Sequence, residues 1–89
     1  HAVRIAKTML DEVAERARAL GVTLEFDAGV AAWIAEIGYA PEKGARELRR
    51  VITEQVEDAF ANALLEERIK AGEHVIANVE NGKVLFSVQ

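Results

Sequence analysis

The longest periodic run in the chain sets the limits on its fold. From Glu42 to Glu67 apolar residues recur at Ala45, Leu48, Val51, Ile52, Val56, Ala59, Phe60, Ala63 and Leu64. Steps of three and four place them on one helical face. The spacing predicts a helix over 42–67, the longest element and the spine of the core. Pro41 suits the first turn of that helix, where its missing N–H costs nothing. The charges along the run are polarised. Lys43, Arg46, Arg49 and Arg50 crowd its first half, and Glu54, Glu57, Asp58, Glu66 and Glu67 follow. That order opposes the helix dipole, weakly, since each exposed charge is worth under about 1 kcal/mol.

The rest of the chain must cover that spine. Ala6, Met9, Leu10, Val13, Ala17 and Leu20 share one face of a predicted helix over 3–20. Glu12 and Arg16, four apart and opposite in charge, add an expected pair on its surface. Gly21 supplies a C′ residue able to take positive φ. Val22–Phe26 alternates as a short strand with Val22, Leu24 and Phe26 inward. Asp27 is a good N-cap for a helix over 28–37. Val30, Trp33, Ile34 and Ile37 make its apolar face, Trp33 reads as a core anchor, and Gly38 as its C′ residue.

After the connector 68–73 come two β-rich runs, 74–79 and 83–88, with Asn81-Gly82 between them. Asn-Gly between two strands is the strongest short hairpin signal. The fold class is therefore α+β: about three helices and a small three-stranded sheet (22–26, 74–79, 83–88), covered on one face.

Composition removes several functions. The 89 residues are 51% hydrophobic and 29% charged, a balance suited to one small domain. Net charge is −4, which disfavours nucleic acid as a partner. There is no cysteine, and His1 and His74 are the only histidines, so neither disulfides nor a structural zinc site is expected. No apolar run approaches the roughly 18 residues of a membrane span, and no signal peptide is visible. The start at His1 reads as a fragment of something longer, with the cytoplasm as the default location.

The stretch Gly38-Tyr39-Ala40-Pro41-Glu42-Lys43-Gly44-Ala45-Arg46-Glu47-Leu48-Arg49-Arg50 carries the functional signal. On spacing alone Arg46 has two readings. It is a solvated or ion-paired residue, with Glu42 or Glu47 as partner, or it is a phosphate-binding guanidinium. Gly44 is either a harmless small residue or one that permits close approach.

This stretch resembles the Gly-Ala-Arg motif, with Pro three residues before it, of Clp-type AAA+ ATPases, the ring-shaped unfoldases and disaggregases. The strand 22–26 and its following helix, Glu57-Asp58, Leu64-Leu65, Gly72 and the final hairpin are similar to the same family. The resemblance covers nearly the whole chain. It points to 1–89 as the C-terminal small (lid) subdomain that follows the second ATPase core.

By that resemblance Arg46 occupies the sensor-2 position and, with Gly44 and Ala45, faces bound nucleotide. The implied cofactor is ATP or ADP with Mg2+, held by the parent chain rather than by this fragment alone. The implied partners are the chain's own large subdomain, neighbouring subunits of a hexameric ring, a peptidase in some members, and protein substrates. Arg49 and Arg50 are expected either at a subunit interface or in ion pairs with Glu54 or Asp58.

Two departures stand out. Ala40 replaces a frequent Asp that would cap the helix, and Glu47 replaces a frequent Pro.

The chain lacks a Gly-x-x-x-x-Gly-Lys-Ser/Thr phosphate loop and an acidic strand end for Mg2+. His74 and Ser87 have no matching glycine elbow, and His74 reads as a strand-edge residue. The fragment is therefore not expected to be an enzyme by itself. The competing expectation is a free-standing protein-interaction module that binds a peptide at a helical face or sheet edge, without nucleotide.

Overall fold

The computed structural model describes residues 1–89. Its elements are α1 (Ala2–Ala19), β1 (Thr23–Phe26), α2 (Ala28–Gly38), α3 (Ala45–Ile52), a π-helical turn (Thr53–Glu57), α4 (Asp58–Leu65), β2 (His74–Glu80) and β3 (Lys83–Val88). The architecture is α+β. Helical segments cover one face of a three-stranded mixed sheet of order β1-β2-β3. β1 runs parallel to β2, with Leu24 opposite Val75. β2 and β3 form an antiparallel hairpin, with Glu80 opposite Lys83.

Local chemistry explains the boundaries that match expectation. At the end of α1 the Gly21 N–H donates to the Arg18 carbonyl and the Val22 N–H to the Ala17 carbonyl. That is a Schellman closure with Gly21 at φ +89°. The Asp27 side chain accepts from the Gly29 N–H at 3.2 Å, capping α2. Asn81 and Gly82 both have positive φ, as a two-residue type I′ hairpin turn requires.

The long helix differs from expectation in three ways. It starts at Ala45 rather than 42 and ends at Leu65 rather than 67. Pro41 therefore lies outside it, in a separate turn. The far end is closed by Glu67 at φ +60°, with the Glu67 N–H bonded to the Leu64 carbonyl and the Arg68 N–H to the Ala63 carbonyl. This is again a Schellman closure, built without glycine.

The third difference lies in the middle of the helix, where the Asp58 N–H reaches five residues back to the Thr53 carbonyl. Leu48, Ile52, Val56 and Phe60 are four apart. On an ideal helix three such steps drift by roughly 120° around the axis. The wide turn removes much of that drift. All four residues are consequently buried, at 6% exposure or less.

The core is aliphatic. Ile34, Leu48, Val22, Val30, Val56 and Val75 are its largest fully buried side chains. Trp33 is not the anchor that its size suggests. It is half-buried and packs against the edge of the core, while Ile37 and Leu20 are exposed. Phe60 and Phe86 instead make the aromatic contact, edge to face at 5.8 Å, and join α4 to β3. His74 opens the central strand rather than an edge strand, and its Nε2 lies 2.6 Å from a Glu25 carboxylate oxygen.

Gly38 has a different role from the one its position suggests. It is the last residue of α2 and is buried, not a positive-φ cap. A Cβ there would sit 3.1 Å from Leu48 Cδ2 and 3.2 Å from Val51 Cγ2. Its missing side chain lets α2 and α3 touch, and this contact sets where α3 begins its course.

Candidate functional site

The site is built at the junction of α2 and α3. Tyr39 leaves α2 in an extended conformation. The chain then makes one tight turn, in which the Ala40 carbonyl accepts from both the Lys43 and Gly44 N–H groups at 2.9 Å. Pro41 is the first residue inside that turn, so it pre-sets the turn rather than the helix. Position 40 likewise caps this turn, so the loss of the frequent Asp does not weaken the start of α3.

The N-cap of α3 is Gly44, at φ 60° and ψ −143°, with no side-chain cap. Side-chain-bearing residues scarcely visit that region. Glycine is thus required by the backbone. Apart from its two chain neighbours, no residue lies within 4 Å of a Cβ built there. The first N–H groups of α3 consequently point out of an uncapped helix end, a setting that favours anions.

The arginines that follow differ sharply. Arg50 is held on both sides, by hydrogen bonds to Glu47 and, at 2.8 Å, to Glu54. Arg49 reaches across to Glu12 of α1 at 3.8 Å. Arg46 is exposed and pairs with no carboxylate, neither Glu42 nor Glu47. Glu47 is taken by Arg50 and by Lys43 at 3.9 Å.

The Arg50 hydrogen bond holds the Glu47 carboxyl below its ordinary range, against partial burial, and the positive charges of Arg50, Lys43 and Arg46 add to that. The same contacts with Glu47 and Glu54 raise the Arg50 pKa. The Glu47 carboxylate is thus engaged by Arg50 and Lys43, leaving the Arg46 guanidinium without an ion-pair partner beside open backbone donors.

Glu12 and Arg16 tie the site to its support through partners that the sequence did not indicate. Glu12 and Arg16 do not pair with each other along α1. Glu12 faces Arg49, and Arg16 bonds to Glu57 in the π-helical turn. The odd order of charges on the long helix is resolved there, because its charges bridge to α1 as well as along their own axis. The only signal was the mismatch with the dipole, which says that partners lie elsewhere but not where.

No three His, Asp or Glu side chains converge in a cluster able to hold a metal ion. No helix is long and apolar enough to cross a membrane.

An α+β subdomain with a glycine-capped, arginine-bearing helix after a Pro turn fits the resemblance to the small domains of Clp ATPases. Residues 1–77 match the family described as the C-terminal, D2-small domain, of ClpB protein, and the chain belongs to that family.

Curated relatives agree. The chaperone protein ClpB of Wolinella succinogenes is 36% identical over 86 residues, 97% of this chain and 10% of the relative. The negative regulator of genetic competence ClpC/MecB of Bacillus subtilis is 35% identical over 83 residues, 93% of this chain and 10% of the relative. The ATP-dependent Clp protease ATP-binding subunit ClpA homolog of Cyanidium caldarium is 35% identical over 79 residues, 89% of this chain and 9% of the relative. The chain thus spans about a tenth of the length of these relatives. All three are Clp proteins by name.

Proposed function

We propose that residues 1–89 act as the lid of a two-part nucleotide site, with Arg46 as the side chain that senses the nucleotide. The observation that carries this reading is the contrast among three arginines on one helix. Arg49 and Arg50 have carboxylate partners within this chain, and Arg46 has none. A permanently charged guanidinium left unpaired costs little in water and is available for forked bonds to phosphate oxygens.

Ala45 and Arg46, in the first turn of α3, would present backbone N–H groups to the same phosphates, and the open space at Gly44, whose own N–H is held by the Ala40 carbonyl, would admit them. The nucleotide, ATP or ADP with Mg2+, would supply the phosphate charge. Its phosphate loop and metal ligands belong to a large subdomain of the parent chain. This chain's part is to bind the phosphate edge and to be drawn in or released with it.

In the parent chain this coupling would transmit ATP turnover to neighbouring subunits of a hexameric ring and so to the unfolding of protein substrates. The family membership and the names of the relatives support that setting.

The test joins this chain to its ATPase core and replaces Arg46 by Ala. The expected result is weaker nucleotide binding and slower ATP turnover with the fold retained. Unchanged affinity and turnover would remove Arg46 from the site.

A further inference from the structure

Of the charged residues from Glu42 to Arg50, Glu47 alone is not exposed, with 18% of its side chain open to solvent. Two cations hold it, in different ways. Arg50 grips it with two N–H groups, the Nε at 3.0 Å, and is itself fixed from behind by Glu54 at 2.8 Å. Lys43 is the other cation, and its contact is loose. Its Nζ lies 3.9 Å from a Glu47 oxygen, beyond hydrogen-bond reach, and its side chain is half exposed. Lys43 has no other carboxylate partner.

The backbone of Lys43 is fixed where its side chain is not. Its N–H donates to the Ala40 carbonyl at 2.9 Å, inside the Pro41 turn, and the next residue is the open N-cap Gly44. The ammonium therefore hangs on a flexible four-carbon stem beside the uncapped end of α3. Arg46 follows Gly44 by two residues. Lys43 can leave Glu47 at little cost, because an exposed pair of this kind contributes little. Glu47 keeps both Arg50 hydrogen bonds when the lysine departs, so no carboxylate is stranded.

We propose that Lys43 and Glu47 form an exchange pair at the nucleotide edge of this lid. Glu47 holds the ammonium while the site is empty, and Lys43 passes to the phosphate oxygens beside Arg46 when nucleotide arrives. This rests on the reading of Arg46 as a phosphate ligand. A phosphate carries more charge and more acceptor oxygens than a carboxylate, so it draws a point charge away from Glu47. When the phosphate leaves, Glu47 has not moved, and it takes the ammonium back. Arg50, gripped at both ends, stays in place throughout. Lys43 thus adds a second cation to the site, and Glu47 competes for that cation at release.

Nucleotide titrations of the parent chain and its variants test this. Lys43→Met keeps the stem and removes the charge. It should weaken nucleotide binding about two- to five-fold, the range for one charge at an exposed helix end, at unchanged melting temperature. The deficit should fade toward about 1 M salt, where charges are screened over roughly 3 Å. Lys43→Arg should bind as the parent does. Glu47→Gln removes the competitor and should tighten binding by a similar factor, and it should gain less when combined with Lys43→Met, which leaves no ammonium to free.

Parental affinity in Lys43→Met, a deficit that ignores salt, or a Glu47→Gln gain equally large without Lys43 would overturn the exchange. Arg46→Ala, titrated alongside, separates the two readings. If it weakens binding while Lys43→Met does not, the exchange alone falls. If Arg46→Ala has no effect, the reading beneath it falls as well.

Discussion

The two ends of the long helix are built on opposite plans. The far end is closed. Its last carbonyls are bonded by Glu67 and Arg68, and the chain then buries Ile69 at 2% exposure. The near end is open. Gly44 caps it without a side chain, Ala45 and Arg46 are exposed, and the space that a side chain at Gly44 would enter is open. Both ends contain a residue at φ 60°, but only the near end has a glycine there. The closed end spends backbone strain to fasten the core to β2. The open end leaves donors and a cation unpaired, which is unexplained by folding and is what a ligand site needs.

The largest expected effect comes from unfastening the closed end. Ile69→Ala should cost about 2–5 kcal/mol, seen as a lower urea midpoint at unchanged slope. Almost as damaging should be Gly38→Val, which forces a side chain against Leu48 and Val51; about 1–3 kcal/mol is expected from overpacking. A smaller, stabilised variant would mean that α2 and α3 can separate freely.

The two positive-φ residues should then respond in opposite directions. Gly44→Ala should destabilise by about 1–3 kcal/mol through backbone strain alone, because no neighbour is there to clash. Glu67→Gly should be neutral or stabilising, by up to about 1 kcal/mol, because it relieves the left-handed penalty. If thermal denaturation gave both changes the same sign, the two ends would not differ as described.

The smallest effect is a pH dependence. The folded chain holds the Glu47 carboxyl below its ordinary value of 4.5, so it binds that proton less readily than the unfolded chain does. The stabilisation from Arg50 is therefore complete above pH 4.5 and is lost as pH falls through the lowered value. Arg50→Ala should separate from the parent protein in urea midpoint above that pH and converge with it in stronger acid. A constant difference down to the acid limit would assign the effect to something other than this pair.

What the sequence revealed was what is decided locally. Gly21, Asp27 and Asn81-Gly82 each act on backbone groups within a few residues, so their turns and caps could be read directly. The amphipathic face of the long helix was equally plain. Less visible were features fixed by tertiary contact. Gly38 looks like a helix stop in sequence, yet its role is to admit Leu48 and Val51. Four-residue spacing from Leu48 to Phe60 gives no sign of the π-helical turn that keeps it on one face. Glu12 and Arg16 form a plausible local pair until α3 and the π-helical turn offer better partners. At the candidate site the motif named Arg46, but its lack of a partner depends on Glu47 being turned toward Arg50, which spacing alone left open.

The most direct measurement compares two arginines of one helix in the full-length parent chain. Arg46→Ala and Arg50→Ala each remove one guanidinium. Loss of a charged hydrogen bond to phosphate is worth about 1.5–3 kcal/mol, or roughly ten- to a hundred-fold in nucleotide affinity. The account predicts that loss for Arg46→Ala at unchanged melting temperature, with affinity essentially retained in Arg50→Ala. Equal affinities for the two variants, or a loss confined to Arg50→Ala, would contradict it.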